Sequence, residues 1–196
     1  SISNFSDLDP LENEEGINLN WINNRKNLDN FDLIILPGSK QTIKDIIFLK
    51  ETGLIKNIQD YSRNKGNILG ICGGLQMLGE YLEDPYSKEG LDSSKKGLIM
   101  GIGLLPLKTI FEETKITKRV ICDATWPLNT KVEGYEIHNG ITEIIKSNGQ
   151  QKLKNIFKQN ELGWYIDNNE EGSIAGLYLH GILDNDLWRI NYLNLI

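Results

Sequence analysis

The residues of this 196-residue chain best suited to nucleophilic and proton-transfer chemistry are few: two cysteines and two histidines. Cys72 stands in Gly66-Asn-Ile-Leu-Gly-Ile-Cys72-Gly-Gly-Leu-Gln76-Met-Leu-Gly79. It lies at the end of a short apolar run and is followed by two glycines and a helical pattern. That order is the strand-turn-helix of a nucleophile elbow, which lifts a side chain clear of the sheet. Small neighbours at Gly70, Gly73 and Gly74 permit a tight turn and a close substrate approach. A helix starting at the turn offers partial positive charge, which favours a thiolate, and free backbone N–H groups for a developing oxyanion. A lone cysteine is more often a small buried hydrophobe; the elbow favours the nucleophile. Cys122, in Val120-Ile121-Cys122-Asp123, has no such setting and reads as core.

A thiolate nucleophile needs a group to carry its proton, and histidine suits near-neutral pH. His180 closes the apolar run Ile174-Ala-Gly-Leu-Tyr-Leu179 and precedes Gly181, so it projects from a strand end, where α/β active sites lie. His138, in Gly134-Tyr-Glu-Ile-His138-Asn-Gly140, is the other choice. His180 is favoured.

These side chains require elements to hold them. Asp32–Leu36 and Asn67–Ile71 are short branched-apolar runs suited to strands buried on both faces of a parallel sheet. Ile43, Ile46, Ile47, Leu54, Ile55, Ile58 and Tyr61 recur at helical spacing, with a break at Gly53; Leu75, Leu78 and Leu82 mark a second helix after Cys72. Strand, helix, strand, helix implies right-handed parallel crossovers and an α/β sheet with helices on both faces. Ile17–Ile22 alternates like a half-buried strand, and 83–97 reads as an exposed loop. The second half is richer in Thr, Val, Ile and Tyr around 107–122, 131–137 and 173–180. Turns are expected at 127–129, 139–140, 148–149 and 172, some strands should be antiparallel, and a terminal helix should start near Asp186. Residues 1–16, polar and acidic with Pro10 and Gly16, read as a connector laid on the surface.

Composition narrows the function. Lys and Arg number 21 against 27 Asp and Glu, a net charge of −6, which argues against a phosphate-tracking, nucleic-acid-binding surface. The longest apolar stretch, Leu98–Leu107, is interrupted by two glycines and a proline and is far short of the roughly 20 residues of a membrane span. No secretory signal pattern opens the chain, so a cytoplasmic protein with reduced thiols is expected. No phosphate-binding Gly-x-x-x-x-Gly-Lys-Ser/Thr segment and no acidic metal cluster is recognisable, so no cofactor or metal is expected here.

Gly-Ile-Cys72-Gly-Gly-Leu-Gln76 and Tyr178-Leu-His180-Gly-Ile resemble the glutaminase site of the triad-type glutamine amidotransferases. Leu36-Pro-Gly-Ser-Lys-Gln-Thr42, Gly134-Tyr-Glu-Ile-His138 and the opening Ile2-Ser-Asn-Phe-Ser-Asp-Leu-Asp-Pro-Leu11 narrow this to the C-terminal amidotransferase half of the cobyric acid synthases. The resemblance runs from Ser3 to about Arg189. It implies a flavodoxin-like class I amidotransferase fold, with a mostly parallel central sheet covered by helices on both faces. It implies that Cys72 attacks the side-chain amide of glutamine, forms a γ-glutamyl thioester and releases ammonia, with His180 moving the proton. By the same resemblance, the N–H groups of Ser39 and Gly73 form the oxyanion hole, Gly38 allows close approach and Gln76 helps seat the glutamine.

The wider superfamily places a Glu two residues after the catalytic His; here that position is Ile182. The site is then a Cys–His dyad, or its third member comes from elsewhere, with Glu136 and Asp184 as candidates. The resemblance also implies a partner. An N-terminal synthetase domain using ATP and Mg would activate corrinoid carboxylates, residues 1–16 would be the inter-domain connector, and 17–196 the glutaminase domain. Other acceptors remain open, through an a,c-diamide synthase or a lipid-amidating cell-wall enzyme, as does a catalytically silent docking module.

Overall fold

The computed structural model describes residues 2, 5–24, 27–89, 98–145, 153–158, 161–167 and 172–196. Two five-stranded sheets carry the site. The first has the order β1 (Leu33–Leu36), β2 (Asn67–Ile71), β9 (Ser173–Leu177), β8 (Gly163–Asp167) and β7 (Lys154–Asn155). Its β1, β2 and β9 are mutually parallel, whereas β8 pairs antiparallel with β9, and β7 antiparallel with β8. The parallel strands are those read from short apolar runs, and β9 reads SIAGL with every residue buried. Apolar clusters lie on both faces, one holding Ile43, Ile58, Leu75 and Leu78, the other Leu69, Ile71, Leu177 and Trp188.

The crossover between β1 and β2 is α2 (Thr42–Glu51) and α3 (Leu54–Arg63), separated at Gly53 as the spacing predicts. After β2 comes α4 (Gly73–Leu78), shorter than expected: Leu82 lies not on this helix but on β3 (Tyr81–Glu83), because the chain turns at Gly79. α4 sits directly on the sheet. A Cβ on Gly74 would stand 1.9 Å from the carbonyl oxygen of Leu36, so only glycine lets helix and strand approach this closely.

The second sheet has the order β10 (Leu179–His180), β6 (Thr130–Ile144), β5 (Leu107–Ala124), β3 and β4 (Leu98–Met100). β5 and β6 form a long antiparallel hairpin with a register shift between Ile110 and Lys115. Asn139-Gly140, expected as a turn, lies inside β6 opposite that irregularity. The chain passes from the first sheet to the second at Tyr178, between β9 and β10, so that His180 pairs with Tyr135 of β6. α5 (Asp186–Leu193) then closes the fold, as predicted. The expected turn at 148–149 and most of the expected loop, 90–97, lie outside the described residues.

Two sequence expectations are corrected. Ile17–Ile22 forms no strand: Leu19 and Ile22 pack on the core while Ile17 and Trp21 stay exposed. Nor is the opening segment laid on the surface. Phe5–Leu8 forms a 3-10 turn and runs into α1 (Asp9–Glu12), where Leu8 and Leu11, three residues apart on one helical face, are 3% and 2% exposed. Arg189 of α5 fastens the end of the segment through Glu14 at 2.7 Å. The polar composition hid one apolar stripe, and that stripe is what docks the segment.

Among the described residues no helix is long and apolar enough to cross a membrane.

Candidate active site

Cys72 occupies the turn between β2 and α4 with φ 51° and ψ −107°. A positive φ is costly for a residue with a Cβ, of order 1–3 kcal/mol when enforced by its surroundings, and such strain gathers at functional sites. Its backbone N–H donates to Leu177 O at 2.8 Å, which ties the elbow to β9 just before the chain crosses to His180. The thiol donates to Ile137 O of β6 at 3.2 Å. Cys72, the β9 crossing and the hairpin wall are thus fixed relative to one another.

His180 is 5% exposed. Its Nδ1 lies 2.6 Å from Oδ2 of Asp7, whose other oxygen accepts from the backbone N–H of Gly181 at 3.0 Å. The sulfur of Cys72 is close enough to influence the same ring. Burial opposes a charged imidazole, but the Asp7 carboxylate and the Cys72 sulfur outweigh it and raise the pKa from 6.5 to about 10. Cys72, His180 and Asp7 therefore form a continuous chain of the nucleophile–base–orienter kind.

Asp7 is the residue that sequence reasoning missed. It lies 173 positions from its histidine, in a segment read as a surface connector. The one available signal was that this acidic stretch belongs to the segments carrying the resemblance. Of the two acids expected to orient His180, neither does so. Glu136 is bonded to His138 at 3.0 Å and paired with Lys118 at 3.0 Å, and Asp184 is exposed on the turn after Gly181. Glu136, on β6, stands opposite Leu179, so alternation separates it from His180, and the imidazole's Nδ1 is already taken by Asp7.

His138 is buried with both ring nitrogens engaged, Nε2 by Glu136 and Nδ1 by Gly140 O at 3.1 Å, and it stacks on Tyr178 at 3.7 Å. Burial pushes its pKa down despite Glu136. This leaves it no free nitrogen for the sulfur, so the histidine beside Cys72 is His180.

The other predicted residues are brought together in part. A Cβ on Gly73 would stand 2.8 Å from the backbone nitrogen of Ser39, so the Ser39 N–H and the start of α4 are neighbours beside Cys72. The Ser39 hydroxyl donates to Asp45 at 2.6 Å and accepts from Gln41 N, fixing the loop between β1 and α2. Gly38 is buried one residue before and lines a neighbouring apolar groove instead of the catalytic cavity. Gln76 is 3% exposed; its amide nitrogen donates to Asn139 O at 3.0 Å and Tyr178 OH at 3.3 Å, and its oxygen accepts from Thr42 at 3.2 Å. It thereby joins α2, β6 and the β9–β10 crossing around a cavity of about 550 Å³ into which Cys72, His180 and Ser39 open. Among the described residues no group of three or more His, Cys, Asp or Glu is placed to hold a metal ion.

A buried thiol, a histidine held by a carboxylate and the backbone N–H groups of Gly73 and Ser39 close to the elbow are the groups that acyl transfer requires. The profile of the CobB/CobQ-like glutamine amidotransferase domain matches residues 1–188. The chain belongs to this family. It is 58% identical over 196 residues to the cobyric acid synthase of Prochlorococcus marinus strain AS9601 and 56% identical to that of strain MIT 9312. Each match covers 100% of this chain and 38% of the relative, so this amidotransferase domain spans about two-fifths of the proteins it resembles. Among solved structures it resembles a glutamine amidotransferase, with TM-score 0.67 at 13% identity over 99% of this chain and 94% of that one. It also resembles PurLQS from Thermotoga maritima, with TM-score 0.62 at 17% identity over 97% and 90%. At such identities the likeness is one of fold. The α/β fold expected of an amidotransferase domain is the one found.

Proposed function

We propose that this amidotransferase domain hydrolyses glutamine through a Cys72 thioester and delivers ammonia to an ATP-dependent synthetase, within an enzyme that amidates corrinoid carboxylates to make cobyric acid. The observation that carries the reading is the chain from Cys72 through His180 to Asp7. His180 takes the thiol proton as the sulfur attacks the side-chain carbonyl carbon of glutamine, and the negative charge passes to the carbonyl oxygen, facing the N–H groups of Ser39 and Gly73. The C–N bond breaks as His180 gives its Nε2 proton to the departing nitrogen, releasing ammonia. With that proton gone, His180 is left as a neutral imidazole. The imidazole becomes a base that Asp7 still orients, and it takes a proton from the water that cleaves the thioester to glutamate.

The acceptor and its activation belong to sequence outside this chain. Relatives named cobyric acid synthase support a corrinoid acceptor, the adenosylcobyrinic a,c-diamide, with ATP and Mg bound by the synthetase part of the longer polypeptide and residues 1–16 joining the two. A cytoplasmic location accords with such biosynthesis.

The test is to mix the protein with glutamine, quench in acid and measure both ammonia and protein mass. Ammonia release with one glutamyl group on Cys72 is the expected result; ammonia released with no adduct under rapid quenching would remove the thioester, and no release at all would remove the glutaminase reading. Gly73→Ala probes the oxyanion donors, because its methyl would force Ser39 N away. A loss of roughly 10²–10³-fold in kcat with little change in KM is expected, the loss that follows removal of one such donor; steady-state kinetics checks it.

A further inference from the structure

Asp7 and His180 come from segments 173 positions apart, and the two are held in different ways. The His180 side is fixed by sheet and turn: β10 pairs with β6, and the side-chain amide of Asn185 donates to Gly181 O at 2.9 Å and to Ile182 O at 3.1 Å. The Asp7 side lies outside both sheets, in a 3-10 turn and α1. Leu8 and Leu11 turn its apolar face inward, but apolar burial is non-directional and does not by itself set a hydrogen bond of 2.6 Å. Charge opposes the contact. Desolvation raises the pKa of Asp184, on the turn after His180, and the like charges of Asp7 and Asp9 raise it further, while Arg189 lowers it. Arg189 stands at this acidic seam with its side chain 12% exposed. Its Nε donates to Glu14 at 2.7 Å, and the guanidinium also donates to Leu183 O at 2.6 Å and pairs with Asp186 at 2.9 Å. Glu14 follows Asp7 on the opening segment, and Leu183 belongs to the 3-10 turn Ile182–Asp184 that follows His180.

We propose that Arg189 is a positioning residue for proton transfer: one guanidinium grips Glu14 and Leu183 O together and so sets where Asp7 meets His180. Arginine suits the task because its donors lie in a rigid planar fork, so acceptors bonded to it are fixed in angle as well as distance. The stripe of Leu8 and Leu11 holds the segment on the core, and the fork stops it from sliding. The guanidinium's partners are Glu14, Leu183 and Asp186, so it acts on the reaction through Asp7 and not through glutamine. The kinetic consequence rests on the glutaminase reading above: without the fork the relay weakens while substrate binding does not.

The test is a double-mutant cycle between Arg189→Met, which keeps an aliphatic stem and removes the fork, and Asp7→Asn. Arg189→Met should lower kcat for glutamine hydrolysis by roughly 10–10²-fold and leave KM within about 2-fold, as small misplacements of catalytic groups do. If it acts through Asp7 the two losses do not multiply, and the double variant falls less than about 3-fold below Asp7→Asn alone. Glu14→Gln, the milder change, should lower kcat in the same sense and takes the place of Arg189→Met in the cycle if that variant does not fold. NMR titration of the His180 ring reads the contact without turnover: Arg189→Met should move its pKa from about 10 toward 6.5, as Asp7→Asn does. Losses that multiply overturn the proposal. So does a lower melting temperature with kcat and titration unchanged, which makes Arg189 a fastening of the fold alone. If the wild-type protein releases no ammonia, it is the glutaminase reading that has failed, and the titration decides whether Arg189 places Asp7.

Discussion

Cys72→Ala is expected to abolish glutamine-dependent ammonia release, lowering kcat by at least ~10⁴-fold, the loss typical of removing the nucleophile from a unit that acts together. No other thiol can replace it. Cys122 is buried on β5, and burial pushes its pKa up to about 11. The variant should fold, because alanine keeps the Cβ that already stands at positive φ and gives up only a sulfur at the cavity wall. Thermal unfolding close to that of the parent, with ammonia release at background, is the anticipated pair of results. Retained activity would mean that His180 activates water directly and that the elbow is only architecture.

The second large effect is at Asp7. Asp7→Asn preserves shape but replaces the carboxylate that orients the imidazole. In a Ser-His-Asp triad the equivalent change costs about 10⁴-fold, and a loss of roughly 10²–10⁴-fold in kcat is expected here, with KM for glutamine little altered. The pH dependence gives a second reading. The folded-state pKa of His180, about 10, lies above its ordinary 6.5. The stability it contributes is therefore fully present below pH 6.5 and is lost as pH rises through 10. Removing the Asp7 charge lowers the folded pKa. The alkaline limb of the rate profile should then move toward neutral pH, and the fall in melting temperature between pH 7 and 10 should flatten. An unchanged profile with reduced kcat would instead assign Asp7 to packing of the opening segment.

The elbow was legible because its chemistry is local. Gly70, Gly73 and Gly74 must accompany Cys72 for α4 to sit on β1 and β2, and such steric demands act over a few residues. The branched runs of β1 and β2 and the paired helices between them were legible for the same reason, since burial on both faces and helical periodicity are written at short range. Errors came where contacts over long separations decide. Leu82 follows the helical spacing set by Leu75 and Leu78, yet pairing with β4 and β5 makes it part of a strand. Asn139-Gly140 has turn residues, but the hairpin partner holds it in β6.

The same division runs through the site. From its sequence alone this protein is a glutamine amidotransferase domain with Cys72 at an elbow and His180 at a strand end, because each motif carries its own backbone requirement. Which acid orients that histidine is a different kind of fact. Glu136 and Asp184 are near His138 or His180 in sequence, and neither meets the His180 ring. Asp7 does, because Leu8 and Leu11 bury beside it and carry the opening segment across α5 to the sheet crossing. A hydrogen bond spanning 173 residues leaves no local pattern in either partner, so only the packing of the tertiary structure could select it.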